Sequence, residues 1–265
     1  MPTPTASLEC IMAGPTQSYD ELAPYYDQMF ENWESSITRQ ANVIAGILDR
    51  ECGERRPIRV LDCACGIGTQ SLGLAMKGFD VTGCDISRGA VQRARSEASK
   101  RGLSIPFSVA DMVELSAISQ SSFDAVICMD NSLPHLQTDQ ELLHAAQQAY
   151  EKVRLGGFFI GSIRDYDQLI VQRPTSQGPS FYSDGGGRRI IFQVWDWLDE
   201  RRYRFHLYIT RSTESAWQTF HFTATYRGVR RNELRHILEK AGFTNVRWLP
   251  PSETDFYQPI FIAQR

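Results

Sequence analysis

Nothing in the 265 residues approaches the ~20 consecutive apolar residues that a membrane span requires. Basic charge is scarce as well. The 28 Lys and Arg stand against 31 Asp and Glu, a formal net charge of −3, so no global field draws in a polyphosphate partner. The arginine pairs at 188–189, 201–202 and 230–231 read as solvated faces. Six cysteines carry no paired spacing, which excludes a disulfide framework, and no CxxC or Cys/His cluster offers a metal its ligands. The opening stretch "MPTPTASLECIMAGP" has no basic n-region, and its apolar part is too short for a signal sequence. These absences predict a cytoplasmic, reduced chain with no metal and no membrane or nucleic-acid partner. Internal repeats and low-complexity segments are missing too.

Apolar residues make up 42% and charged residues 22%, the balance of an ordinary globular protein, and the length suits one large domain. Residues 19–50 read as helical, with Val43, Ile44, Ile47 and Leu48 on one face. Apolar runs at 58–63, 79–85, 105–111, 123–130 and 156–163 then read as strands, alternating with helical patterns at 68–77, 87–101 and 138–154. Thr138 and Glu141 form a T-x-x-E capping box at the start of the last of these. Such alternation predicts a doubly wound parallel sheet. The pattern changes at 189–197, 203–210 and 217–226, where strands follow one another directly; Tyr203, Phe205, Leu207 and Ile209 alternate with polar neighbours, as antiparallel strands do. A helix through Leu234, Ile237 and Leu238 stops at Gly242, and two strands end the chain. The expected organisation is α/β: a helical cover (1–56), a Rossmann-like core (57–165), an antiparallel insertion (166–230), and a last helix and strands completing the core (231–265).

The stretch "LDCACGIGTQ" (61–70) carries the chemistry. With no further metal ligands nearby, Cys63 and Cys65 read as packing residues at the end of a buried strand. The glycines read otherwise. A strand ending in an acid, then G-x-G, then a helix leaves N–H groups free and lets a ligand approach closely. Asp85, 19 residues after Gly66, ends the next strand, where a carboxylate can hold both hydroxyls of a ribose. A dinucleotide would want G-x-G-x-x-G/A, and the last position here is Ser71. "VLDCACGIGT", followed in order by "GCDIS" and "VADM", resembles the three successive motifs of class I S-adenosylmethionine-dependent methyltransferases. That resemblance implies S-adenosylmethionine as cofactor. It sets Asp62 and Gly66 near the methionine part, Asp85 at the ribose and Asp111 with Met112 at the adenine, with Ala64, Gly68 and Ile86 also binding the cofactor. Taken alone, Asp62 also reads as a turn cap.

The second half narrows the class. "FDAVICMDNSLPHL" resembles the I-C-x-x-N-S-x-x-H-L segment of glycine/sarcosine N-methyltransferases; "IRDYD", "FYSD" and "FYQPIFIAQR" resemble later segments of that family. The resemblance implies a substrate carboxylate on Arg164, the acceptor held near the methyl group by Asn131, and Tyr182 walling the pocket. It also implies Met129 and His135 beside the cofactor, and further roles for Tyr226 and Tyr257. An N-terminal helix bearing Tyr19, Tyr26 and Trp33 would cover the cofactor. Two bland readings stand beside these: Arg164 paired with Asp165 or Asp167, and His135 as a core histidine. The chain departs from the family at Asp130, where the glycine enzyme has glycine. A carboxylate there would narrow the pocket and favour a cationic group. "SDGGGRR" (183–189) also departs, and Gly185–Gly187 suggests a mobile flap. The expected function is methyl transfer to a small-molecule amine, with a homo-oligomer a possible assembly and no macromolecular substrate. Transfer to oxygen, carbon or sulfur is the rival, since the fold leaves the nucleophile open. An N-P-P-Y-type signature for base or amide nitrogen is absent.

Overall fold

The computed structural model describes residues 15–53, 57–184 and 187–265. The described residues open with α1 (Pro15–Leu22), a 3-10 segment (Ala23–Met29) and α2 (Trp33–Cys52). The continuous helix expected over 19–50 is therefore broken. Pro24 opens the 3-10 turn, Phe30 is extended, and Asn32 restarts the helix by accepting the Ser35 N–H at 2.8 Å.

The core then runs β1 (Arg59–Asp62), α3 (Thr69–Met76), β2 (Asp80–Asp85), α4 (Arg88–Lys100), β3 (Phe107–Val109), β4 (Phe123–Cys128), α5 (Asp139–Lys152) and β5 (Val153–Ser162). Next come α6 (Tyr166–Gln172) and four strands: β6 (Ser176–Asp184), β7 (Gly187–Trp197), β8 (Arg202–Ser212) and β9 (Trp217–Arg227). The chain ends with α7 (Arg231–Lys240), β10 (Thr244–Leu249), α8 (Pro251–Thr254) and β11 (Ile260–Gln264).

The large sheet has the order β10-β11-β5-β4-β1-β2-β3, parallel except where β11 meets its two neighbours. Its central strands are buried on both faces, as parallel strands between helix layers must be; Val60, Leu61, Ala125, Val126 and Ile127 are all fully inaccessible. The Thr138–Glu141 capping box is present, with the Glu141 N–H donating to Thr138 Oγ1 at 3.1 Å and the Thr138 N–H to Glu141 Oε2 at 2.9 Å. A cap of this kind contributes about 1 kcal/mol to its helix.

The second sheet, β6-β7-β8-β9, is antiparallel throughout. The alternation read in β8 is realised: Tyr203, Phe205, Leu207 and Ile209 are buried and face inward. Residues 176–184 also form a strand, and 166–172 a helix, neither of which was expected. The Gly185–Gly187 flap falls on 185 and 186, outside the described residues. No described helix is long and apolar enough to cross a membrane.

Candidate active site

After β3 the chain crosses back, and β4 pairs on the other side of β1. Open α/β sheets bind ligands in the crevice at such a switch point, beyond the carboxyl ends of the strands. Three acids gather there: Asp62 ends β1, Asp85 ends β2, and Asp130 follows β4.

The loop from Cys63 to Gly68 is shaped by its glycines. Gly66 has φ +52°, and a Cβ on it would meet nothing within 4 Å, so its side is open to a ligand. Asp85 fastens the loop by accepting the Gly66 N–H at 2.8 Å and the Ser87 N–H at 2.9 Å. Burial raises its pKa against those two bonds. Asp62 is fully buried, takes a hydrogen bond from Ser71 Oγ at 2.7 Å, and leaves Oδ1 with no partner among the described residues. Burial pushes its pKa up to about 7, opposed by Ser71 and the Ala64 N–H. Ala64 and Ile86 are half-buried beside these acids, and Asp111 accepts the Val113 N–H at 3.0 Å, turning the chain at half-buried Met112. Cys63 and Cys65 are buried core residues, as the packing reading holds.

The N-terminal segment lies over this crevice. Asp20 accepts hydrogen bonds from Ser87 Oγ at 2.6 Å and the Gly89 N–H at 2.8 Å, which pins α1 to the start of α4. Tyr19 Oη meets His135 Nε2 at 2.8 Å and Tyr226 Oη at 3.2 Å, so α1, the turn after β4 and β9 share one hydrogen-bonded knot. Burial, with Arg164 nearby, drives the His135 pKa down to about 4, so the imidazole is neutral; its Nδ1 has no partner among the described residues. Trp33 stands apart from this group. Its indole N–H donates to Thr69 Oγ1 at 2.9 Å and its ring lies under Arg93 and Arg101, so it braces the flank of the loop.

Between the N-terminal segment, α6 and the inner face of the second sheet lies a cavity of 1080 Å³, lined in part by Tyr19, Tyr26, Asp130, Asn131, Arg164 and Tyr182. Asp130 and Asn131 both hold left-handed backbone, φ +57° and +69°. The turn is locked from β5: Ser162 Oγ accepts the Asp130 N–H at 2.9 Å, and the Ser162 carbonyl accepts that of Asn131 at 3.1 Å. Asn131 Oδ1 in turn accepts the Arg164 N–H at 3.0 Å, while its Nδ2 makes no hydrogen bond to a described residue. The Asp130 carboxylate is engaged on both oxygens, one by Tyr257 Oη and the other by Gln70 Nε2 at 2.7 Å. The charge expected to attract a cationic acceptor is thus held within the protein. Met129 is buried just before this turn.

Arg164 sits in an aromatic box. Its guanidinium lies 4.7 Å from the Trp195 ring centroid, 5.4 Å from Phe205 and 5.5 Å from Tyr226. Nη1 donates to Tyr203 Oη at 3.0 Å, and Nη2 lies 3.5 Å from Gln193 Oε1. Burial works against the charge, but the Tyr203, Tyr166 and Tyr226 hydroxyls hold the pKa above the ordinary arginine value. Among the described residues no carboxylate pairs with it. Asp165 and Asp167 turn instead to Arg231, at 3.4 and 2.6 Å, which removes the ion-pair reading. Tyr203 and Phe205 were legible only as alternating strand residues and Trp195 only as part of the strand at 189–197, and the Gln40–Gln70 pair that steadies Asp130 carried no signal in sequence.

A family profile for a methyltransferase domain matches residues 60–157. Over that stretch the chain carries a methyltransferase domain, and its relatives and fold neighbours support a class I S-adenosylmethionine-dependent methyltransferase. It is similar to the glycine/sarcosine N-methyltransferase of Parasynechococcus marenigrum, 28% identical over 91% of this chain and 81% of that relative. In fold it is similar to Streptomyces venezuelae DesVI, with a TM-score of 0.78 at 19% identity over 91% of this chain and 97% of that one. It also resembles the sugar N-methyltransferase KedS8 of Streptoalloteichus sp., with a TM-score of 0.74 at 16% identity over 100% and 98% of the two chains.

Proposed function

We propose that this enzyme methylates the nitrogen of a small amine that also bears a carboxylate, an amino acid or a glycine- or sarcosine-like acceptor. One observation carries the reading: Arg164 is an enclosed cation facing the cavity with no acid of its own among the described residues. A guanidinium in that state is complementary to a carboxylate, which it can grip with two parallel hydrogen bonds. The glycine/sarcosine relative supports a nitrogen acceptor by its name, and so does that of the sugar N-methyltransferase neighbour.

When bound, the cofactor supplies a sulfonium methyl group to a nucleophile aligned with it, and the leaving group is already a good one. The residues therefore have mainly to bind and orient. Asp85 would take the ribose hydroxyls, Asp62 and the Gly66 loop the methionine end, and Asp111 with Met112 the adenine. The unpartnered Asp62 Oδ1 and the open side of Gly66 suit an ammonium and a close approach. Arg164 and the free Nδ2 of Asn131 would fix the acceptor, and fixing orientation alone can be worth an effective molarity of roughly 10⁵–10⁸ M. The Tyr226 hydroxyl and the aromatic walls would steady the cation that methylation produces. An oxygen acceptor would need a base to remove its proton. No histidine lines the cavity among the described residues, and Asp130 is already engaged.

The test is to incubate the enzyme with isotopically labelled S-adenosylmethionine and matched acceptors, glycine and sarcosine against methylamine and dimethylamine, with larger amino acids alongside. Label should pass to nitrogen only where a carboxylate is present. Equal transfer to the amines without a carboxylate would overturn the proposal.

A further inference from the structure

The cavity continues beyond Arg164, and its outward wall has a distinct chemistry. Gln193 on β7 lies directly opposite Gln177 on β6 in the antiparallel register, so the two side chains share the inward face. Gln168 and Gln172 stand one helical turn apart on α6, and all four amides line the same cavity. Gln193 reaches back to Arg164 and Trp195. Gln168, Gln172 and Gln177 are exposed to solvent along this wall, and their amides are not tied to a described residue. On this side the charged lining group nearest in sequence, Asp165, lies 3.4 Å from Arg231 Nη2. The cavity, at 1080 Å³, is far larger than glycine or sarcosine needs and lies at the top of the range of small-molecule sites.

From this geometry we infer that the true acceptor is an α-amino acid whose side chain continues as an uncharged hydrogen-bonding group, hydroxyl- or amide-rich, along the track of Gln193, Gln177, Gln168 and Gln172. The inference rests on the amino-acid reading above. Amides offer both donors and acceptors without net charge, so they match hydroxyls and amides and give a phosphate nothing to neutralise it.

The experiment compares kcat/KM for glycine, L-glutamine, O-glucosyl-L-serine and O-phospho-L-serine, in the wild-type enzyme and in a Gln172→Ala/Gln177→Ala double variant. Wild type should prefer an extended neutral acceptor to glycine and to phosphoserine by tenfold or more. Glutamine in the lead identifies an amide extension, and glucosylserine a hydroxylated one. The double variant should erase the preference while leaving the rate on glycine within twofold, which also shows that it folds. Glycine equal to the extended acceptors, or phosphoserine ahead of them, overturns the inference and leaves the amino-acid reading intact. No transfer to any of the four overturns both.

Discussion

Replacing Arg164 by methionine separates a substrate-binding cation from a structural one. Each charge-assisted hydrogen bond to a carboxylate is worth about 1.5–3 kcal/mol. A two-pronged grip in a cavity open to water should therefore lose roughly 3–4 kcal/mol, or about 10²–10³-fold in kcat/KM. The stability terms nearly cancel. The variant gives up the bond to Tyr203 Oη, about 1 kcal/mol, and cation–π contacts of roughly 0.5–1 kcal/mol with each of Trp195, Phe205 and Tyr226. It sheds the desolvation cost of a half-buried, unpaired charge, and the methionine sulfur packs well against rings. A net change within about 2 kcal/mol corresponds to less than ~8 °C in the melting temperature. The assay is steady-state kinetics on glycine and methylamine, with calorimetric binding of S-adenosylhomocysteine and thermal unfolding alongside. Cofactor affinity and fold should hold while glycine turnover collapses. Arg164→Lys should recover only part of the loss, since an ammonium lacks the planar fork. Equal losses on both amines, or a loss explained by unfolding, would refute the carboxylate role.

Asp85→Ala should weaken S-adenosylhomocysteine binding at least tenfold in calorimetry, because the Gly66 and Ser87 N–H groups lose their common acceptor as well as any ribose contact; unchanged affinity would disprove the assignment. Asp62 has a folded pKa of about 7 against about 4 for a free carboxyl, so between those values the folded form keeps a proton that the unfolded chain releases. Its contribution is fully present below pH 4 and is lost as the pH rises to 7; Asp62→Asn should therefore raise the melting temperature of the cofactor-free enzyme more at pH 8 than at pH 5. His135 works in the opposite sense. Its folded pKa of about 4 lies below the free value of about 6.5, so stability falls as the pH drops through that interval, and His135→Gln should flatten this limb in pH-dependent unfolding. Asp130→Asn should leave acceptor preference within about threefold, since both carboxylate oxygens are taken by Gln70 and Tyr257; selective loss of cationic acceptors would show that the charge does face the substrate.

What could be read in advance follows the range of the forces involved. Val60–Asp62, Gly66 and Asp85 were legible because strand period, a left-handed glycine and a strand-end acid are local rules, and the sheet repeats them. The inward face of β8 was legible for the same reason. β6 was not: "SQGPSFYSD" has neither alternation nor β-branched residues, and the strand exists because β7 offers it a partner along nearly its whole length. The break after Met29 was hidden because its causes, Pro24 and the Asn32 cap, are single punctuating residues inside an otherwise helical composition.

The site divides along the same line. Arg164, next to Asp165 and three before Asp167, reads in one dimension as a salt bridge waiting to form. It does not form because Arg231, on a helix that follows the whole antiparallel sheet, takes both acids. That long-range competition frees Arg164 for the aromatic box built by β7, β8 and β9. The feature that gives the enzyme its candidate acceptor site is thus a partner's absence, created by a residue that touches neither the cofactor loop nor the cavity. It follows that Arg231→Ala, outside the cavity lining, should return Asp165 toward Arg164. A rise in KM for glycine with cofactor affinity unchanged would reveal that return, and an unaltered KM would show that the aromatic box holds Arg164 without help.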